Sequence, residues 1–307
     1  MGRDWSGLSQ SIKSNNISKA FEILFQRYPA SEGISSDPIC FPHHYFNPQD
    51  REIIAFLTAM MSFGRIASIQ RCLAPMFESM GESPYDFVRE ARFETDLVFT
   101  QYRWIHRETM MAWLFCIQEI INNYRTLSNY FESFTIDQNE SFRGWLHRVS
   151  QDLRGQVLSQ WDIHYGGHGS NQTPAQIQRQ IRFLFSDPAS GSACKRWMMF
   201  FRWMCRTESP DFGMWNFLKS TQLMIPLDTH VVQFARHFGF VQGLTVNWKM
   251  TQRITEVFRG LNSEDPLRYD FALIQFGSSG ACKHRFDVSL CTSCPCLSFC
   301  SEGNSGL

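Results

Sequence analysis

Residues 281–300 read ACKHRFDVSLCTSCPCLSFC and hold five of the chain's ten cysteines. The spacing is Cys282-x8-Cys291-x2-Cys294-x5-Cys300, with Cys296 as an extra thiol. A zinc ion usually takes two separated ligand pairs, and only one C-x2-C pair is present. Four thiolates gathered by a tight loop can instead enclose a [4Fe–4S] cluster. Spacing alone does not separate that cluster from a zinc ion held by the same four thiolates.

A second group of chemically useful residues precedes the cysteines. In LDTHVVQFARHFG (227–239), Asp228 stands before a helical pattern of Val231, Phe234, Ala235 and Phe238, which Gly239 can end. Its carboxylate is expected to cap that helix by accepting backbone N–H bonds, and so to stay ionised at neutral pH. His230 and His237 read as core or surface histidines rather than metal ligands. In CKRWMMFFRWMCR (194–206) most directions are apolar, as in a core or a seam. Lys195, Arg202 and Arg206 form a narrow stripe on it, expected to reach solvent or to pair with acids.

The elements that must position these groups are helical nearly throughout. DREIIAFLTAMMSFGRIASIQRCLAPMF (50–77) places Ile53, Ile54, Leu57, Met60 and Met61 at helical spacing behind an Asn47-Pro48 start. TMMAWLFCIQEIINNYRTLSNYF (109–131), SFRGWLHRVSQDLRGQVL (141–158) and TPAQIQRQIRFLF (173–185) read as further helices, and HYGGHGSNQTP (164–174) as a loop. No sustained strand alternation and no internal repeat is found. The fold class expected is all-α, in two helical domains.

At 307 residues the chain can bury a large core, and 28 Phe and 9 Trp against 19% charged residues suit a compact protein rather than a disordered one. The N-terminus MGRDWSGLSQSIK lacks an apolar signal core, and the longest apolar runs, such as MMAWLFCI (110–117), are too short to span a bilayer. A reducing cytosol is expected, where clustered cysteines more often hold metal than form disulfides. Net charge is zero, yet 190–290 carries 12 Lys/Arg against 8 Asp/Glu, which permits a modest phosphate-binding face.

Several islands of this sequence resemble the helix-hairpin-helix (HhH-GPD) DNA glycosylases, including endonuclease III and the adenine glycosylases. That superfamily often ends in C-x6-C-x2-C-x5-C around a [4Fe–4S] cluster, from which this chain differs only in the first spacer. IPLDTHVVQFARHFG (225–239) is similar to the family's VDTHV segment, and FALIQFGSSGAC (271–282) to the helix and glycine leading into the cluster. DREIIAFLTAMMSFGR (50–65) resembles an early barrel helix. The hairpin departs from the pattern: DPASGSACKRWMM (187–199) shares only Gly191 with it. The long gap from Lys195 to Asp228 is similar to that of archaeal 8-oxoguanine glycosylases, so the chain looks like a bacterial branch of the superfamily.

The resemblance implies a helical barrel at about 50–220, and a cluster domain made of 1–49 and 221–307. It implies base-excision repair: removal of a damaged base, such as an oxidised purine, from double-stranded DNA by a monomeric, nucleoid-associated cytoplasmic enzyme. Asp228 would stabilise positive charge at C1′, Lys195 would form a Schiff base (with Lys219 the runner-up), and Cys282, Cys291, Cys294 and Cys300 would ligate the cluster. Such chemistry passes through an oxocarbenium-like state that a fixed carboxylate stabilises best away from water. The extruded base needs apolar walls, for which Trp197, Phe200, Trp203, Trp215 and Phe63 are candidates, although core packing accounts for most of them. The reading from a different class is a catalytically silent nucleic-acid-binding or scaffold protein with a structural zinc or iron–sulfur site.

Overall fold

The computed structural model describes residues 10–134, 140–166, 170–243 and 245–305. Residues 1–9 of the N-terminal stretch and 167–169 of the 164–174 loop lie outside them. In chain order the longer elements are α1 (Gln10–Arg27), α2 (Pro48–Met61), α3 (Ile66–Met80), β1 (Gln101–Tyr102), β2 (Ile105–His106) and α4 (Arg107–Tyr124). Then follow α5 (Phe142–Tyr165), α6 (Pro174–Leu184), α7 (Lys195–Cys205), α8 (Thr229–His237), α9 (Trp248–Leu261) and α10 (Asp270–Ser278). Among the described residues the only sheet is the antiparallel β1–β2 hairpin, so the protein is all-α. No helix among them is long and apolar enough to cross a membrane.

Two compact units divide the chain: Ile34–Leu218, and Met1–Gly33 together with Lys219–Leu307. In the first, α2 begins where Asn47 accepts the Gln49 N–H at 2.9 Å and Pro48 pre-sets the helical φ. Most of α2 is buried. Phe56 at its centre meets Trp113 of α4 at 5.2 Å and Phe200 of α7 at 5.0 Å between ring centroids. Burying such a ring stabilises by about 1.5–3 kcal/mol. Glu52 is buried beside this cluster and accepts from Trp215 Nε1 at 2.7 Å and from the Leu127 N–H at 3.0 Å. Burial pushes its carboxyl above the usual range, against those donors.

The helical stretch read at 50–77 is two helices. Gly64, at φ +97°, turns the chain between α2 and α3 in a conformation that a side chain would strain. The stretch read at 109–131 likewise breaks at Arg125, φ 70°, where Thr126 caps a new turn of helix by accepting the Asn129 N–H. On α7, Arg202 and Arg206 are buried, and both bind Asp211: Arg202 Nε to Oδ1 and Arg206 Nη1 to Oδ2, each at 3.1 Å.

In the second unit the two ends of the chain share one core. Phe21 of α1 packs against Phe238, Phe258 and Tyr269 at centroid distances of 5.8, 5.5 and 5.5 Å. Helices α8 and α10 pack closely, because Gly277 has no side chain: a Cβ there would run into the His230 ring. That close approach positions α8 beside the cysteine loop.

Candidate functional site

After α10 the chain turns at Gly280, φ +80°, and enters the cysteine block. Cys282, Cys291, Cys294 and Cys300 line one cavity of about 30 Å³. This is more than the 10–15 Å³ or so that a single water needs. Phe234 and His237 of α8, Phe238 just beyond its end and Phe276 of α10 line it as well.

Two of the four sulfurs accept hydrogen bonds from backbone N–H groups. His284 N donates to Cys282 Sγ and Asp287 N to Cys291 Sγ, both at 3.4 Å. The backbone of Cys296 favours the Cys294 thiolate, and that of Glu302 and Gly303 the Cys300 thiolate. Amide donors aimed at sulfur favour thiolate over thiol, which is the state in which cysteine binds metal.

Cys296 has a different role from the other four. It is buried, and its thiol donates to Cys294. That bond brings the Cys294 thiol down to about 6, and it holds the Cys296 thiol well above its ordinary value. Burial raises the Cys282 and Cys300 thiols. Among the described residues no group of three or more His, Cys, Asp or Glu side chains is arranged to hold a single metal ion.

A histidine cluster, which sequence reading missed, ties α8 to this loop. His284 follows Cys282 by two residues and sits at φ 53°. Its Nε2 shares a 3.1 Å hydrogen bond with His230 Nδ1, and its ring lies 5.6 Å from that of His237. Burial, with the two neighbouring histidines, lowers the His284 imidazole to about 4, so the ring is neutral at neutral pH. The signal was weak: one His inside a cysteine block, with partners some fifty residues earlier.

Asp228 caps α8, its Oδ1 accepting the His230 N–H at 3.0 Å. The same helix thus carries a half-buried carboxylate at its mouth and the cavity wall along its side. Lys195 is half-buried at the first position of α7 and belongs to the Ile34–Leu218 unit. It follows a loop in which Gly191 (φ 85°) and Cys194 (φ 50°) are left-handed. Lys219 is exposed and lies in the unit that holds Asp228. Of the proposed base-stacking walls, Trp197, Phe200, Trp203 and Trp215 are fully buried core residues, and only Phe63 retains exposure.

An all-α protein with a backbone-supported thiol cradle is the class that fold and site define. Residues 37–279 match the family described as "Protein of unknown function (DUF2400)", and the chain belongs to that family. No curated protein and no solved structure matches it. The resemblance to the helix-hairpin-helix glycosylases is thereby corrected. The match over 37–279 is to a different family and takes in LDTHV and the FALIQFGSS part of the islands on which that resemblance leaned. Five or ten residues of capped helix recur wherever an aspartate starts an amphipathic helix. They are too short to define a superfamily.

Proposed function

We propose that this protein is an iron–sulfur DNA glycosylase with AP lyase activity that removes a damaged base, such as an oxidised purine, from double-stranded DNA. The observation that carries the reading is the double duty of α8: Asp228 at its N-terminus, and the wall of the four-thiol cavity along its flank. Cys282, Cys291, Cys294 and Cys300 would hold a [4Fe–4S] cluster. The cluster would fix the loop against α8, and a zinc ion held by the same four thiolates is the alternative.

Asp228 would then stabilise positive charge at C1′ as the N-glycosidic bond breaks and its electron pair leaves with the base. A lysine amine forms the new bond to C1′. Loss of its proton and opening of the sugar ring give a Schiff base, from which β-elimination breaks the 3′ C–O bond. Lys195 is the amine on the sequence reading, and Lys219 is the alternative. The protein would act as a monomer in the cytoplasm, at the nucleoid.

One observation favours a second reading, a catalytically silent nucleic-acid-binding or scaffold protein: the capping bond to His230 already accounts for the Asp228 carboxylate. Borohydride trapping on duplexes that each bear one defined lesion or an abasic site separates the two. A covalent adduct is expected for the wild-type chain and is expected to vanish in Lys195→Gln. An adduct lost only in Lys219→Gln would move the nucleophile, and no adduct or excision on any substrate would leave the scaffold reading.

A further inference from the structure

The Ile34–Leu218 unit carries an open groove of about 470 Å³ far in sequence from the C-terminal cysteine block. One wall is a single face of α3, Ser68, Arg71, Cys72 and Pro75, at the i, i+3, i+4, i+7 spacing of one helical stripe. The other wall is the segment 98–103 that leads into the β1–β2 hairpin. Its cations are Arg71 and Arg103, and no carboxylate lines it. Among the described residues no ion pair engages Arg71, Arg103 or the neighbouring Arg65, all three exposed. By contrast, Arg202 and Arg206 in the same unit are locked onto Asp211.

The hairpin tip is built against local preference. Two residues, Arg103 and Trp104, join β1 to β2. Arg103 has φ 54°, the region that two-residue hairpin turns normally fill with glycine or asparagine. Strain of this kind persists where the side chain is needed and its surroundings fix it. Here Tyr102 Oη donates to Phe63 O at 2.6 Å and ties the hairpin to the α2–α3 turn. Trp104 stacks on Phe63 at 5.4 Å and 27°, with Phe183 at its edge, and remains 43% exposed. The Arg103 guanidinium lies over the Trp104 ring, 5.4 Å from its centroid.

We infer that this groove binds a single-stranded nucleic-acid segment, with Arg71 and Arg103 on phosphates and a base stacked on Trp104. A cationic channel beside an exposed, rigidly backed aromatic ring is what sequence-tolerant strand binding requires. The inference stands on the groove alone, so strand binding here survives even if Asp228 and Lys195 cut nothing.

The test is fluorescence anisotropy of a labelled oligothymidylate of roughly a dozen nucleotides with the whole protein across a salt series. Arg71→Gln and Arg103→Gly are each expected to reduce the slope of log affinity against log salt by about 0.7. Trp104→Ala is expected to weaken binding about 5- to 150-fold, and Trp104→Phe to retain most of it. Arg103→Gly places glycine where the turn prefers it and should keep or raise the thermal midpoint, so its weaker binding cannot be unfolding. Three results would overturn the inference: no oligonucleotide binding, variants that bind with unchanged slope and affinity, or displacement by polyglutamate with no dependence on Trp104, which would point to an acidic peptide instead.

Discussion

Asp228→Asn is expected to lower base excision by about 10²- to 10³-fold, the usual cost of removing one preorganised group that stabilises transition-state charge. The substitution is informative because asparagine caps helices as well as aspartate does. The bond to the His230 N–H can therefore persist, and α8 keeps its place beside the cysteine loop. The fold and any bound metal should survive while the negative charge is lost. Single-turnover excision on the best substrate of the lesion panel, with metal content and thermal midpoint measured on the same preparations, checks this. Wild-type excision by Asp228→Asn would reduce the carboxylate to a cap.

The second large effect concerns stability. Asp211→Ala removes a carboxylate that pairs with both Arg202 and Arg206. Both guanidiniums are buried, at 3% exposure, so each would lose a carboxylate partner in a poorly polarisable interior. Breaking a buried pair in this way costs about 3–5 kcal/mol. Denaturant unfolding of the Asp211→Ala chain should show that loss. Replacing all three groups together, Arg202→Met with Arg206→Met and Asp211→Leu, should recover most of it, because the desolvation cost disappears with the charges. A single-substitution loss below about 1 kcal/mol would mean that the triad is solvated like a surface pair.

Much of the local structure was legible in the sequence. The caps at Asn47, Thr173 and Asp228 follow from residue types whose side chains accept backbone N–H bonds, and apolar spacing marked the helices behind them. The breaks at Gly64 and Arg125 were not legible, because apolar periodicity runs on across both and only backbone conformation shows the turn. The hairpin escaped for the same reason: its turn is Arg-Trp, and nothing in that pair announces a left-handed residue. Clustering of the cysteines made their proximity plain. Spacing could not show that the Cys282 and Cys291 sulfurs meet backbone N–H groups, or that His284 reaches back to His230. Those contacts depend on tertiary placement of α8, which no local pattern encodes. The glycosylase-superfamily resemblance failed because its strongest signals were local ones.

The proposed glycosylase requires Cys282, Cys291, Cys294 and Cys300 to hold an iron–sulfur cluster against the helix that Asp228 caps. Iron, zinc and acid-labile sulfide counted per chain in anaerobically purified protein test it most directly. About four irons and four sulfides are expected, falling towards zero in Cys294→Ser. One zinc ion with neither iron nor sulfide would contradict the account.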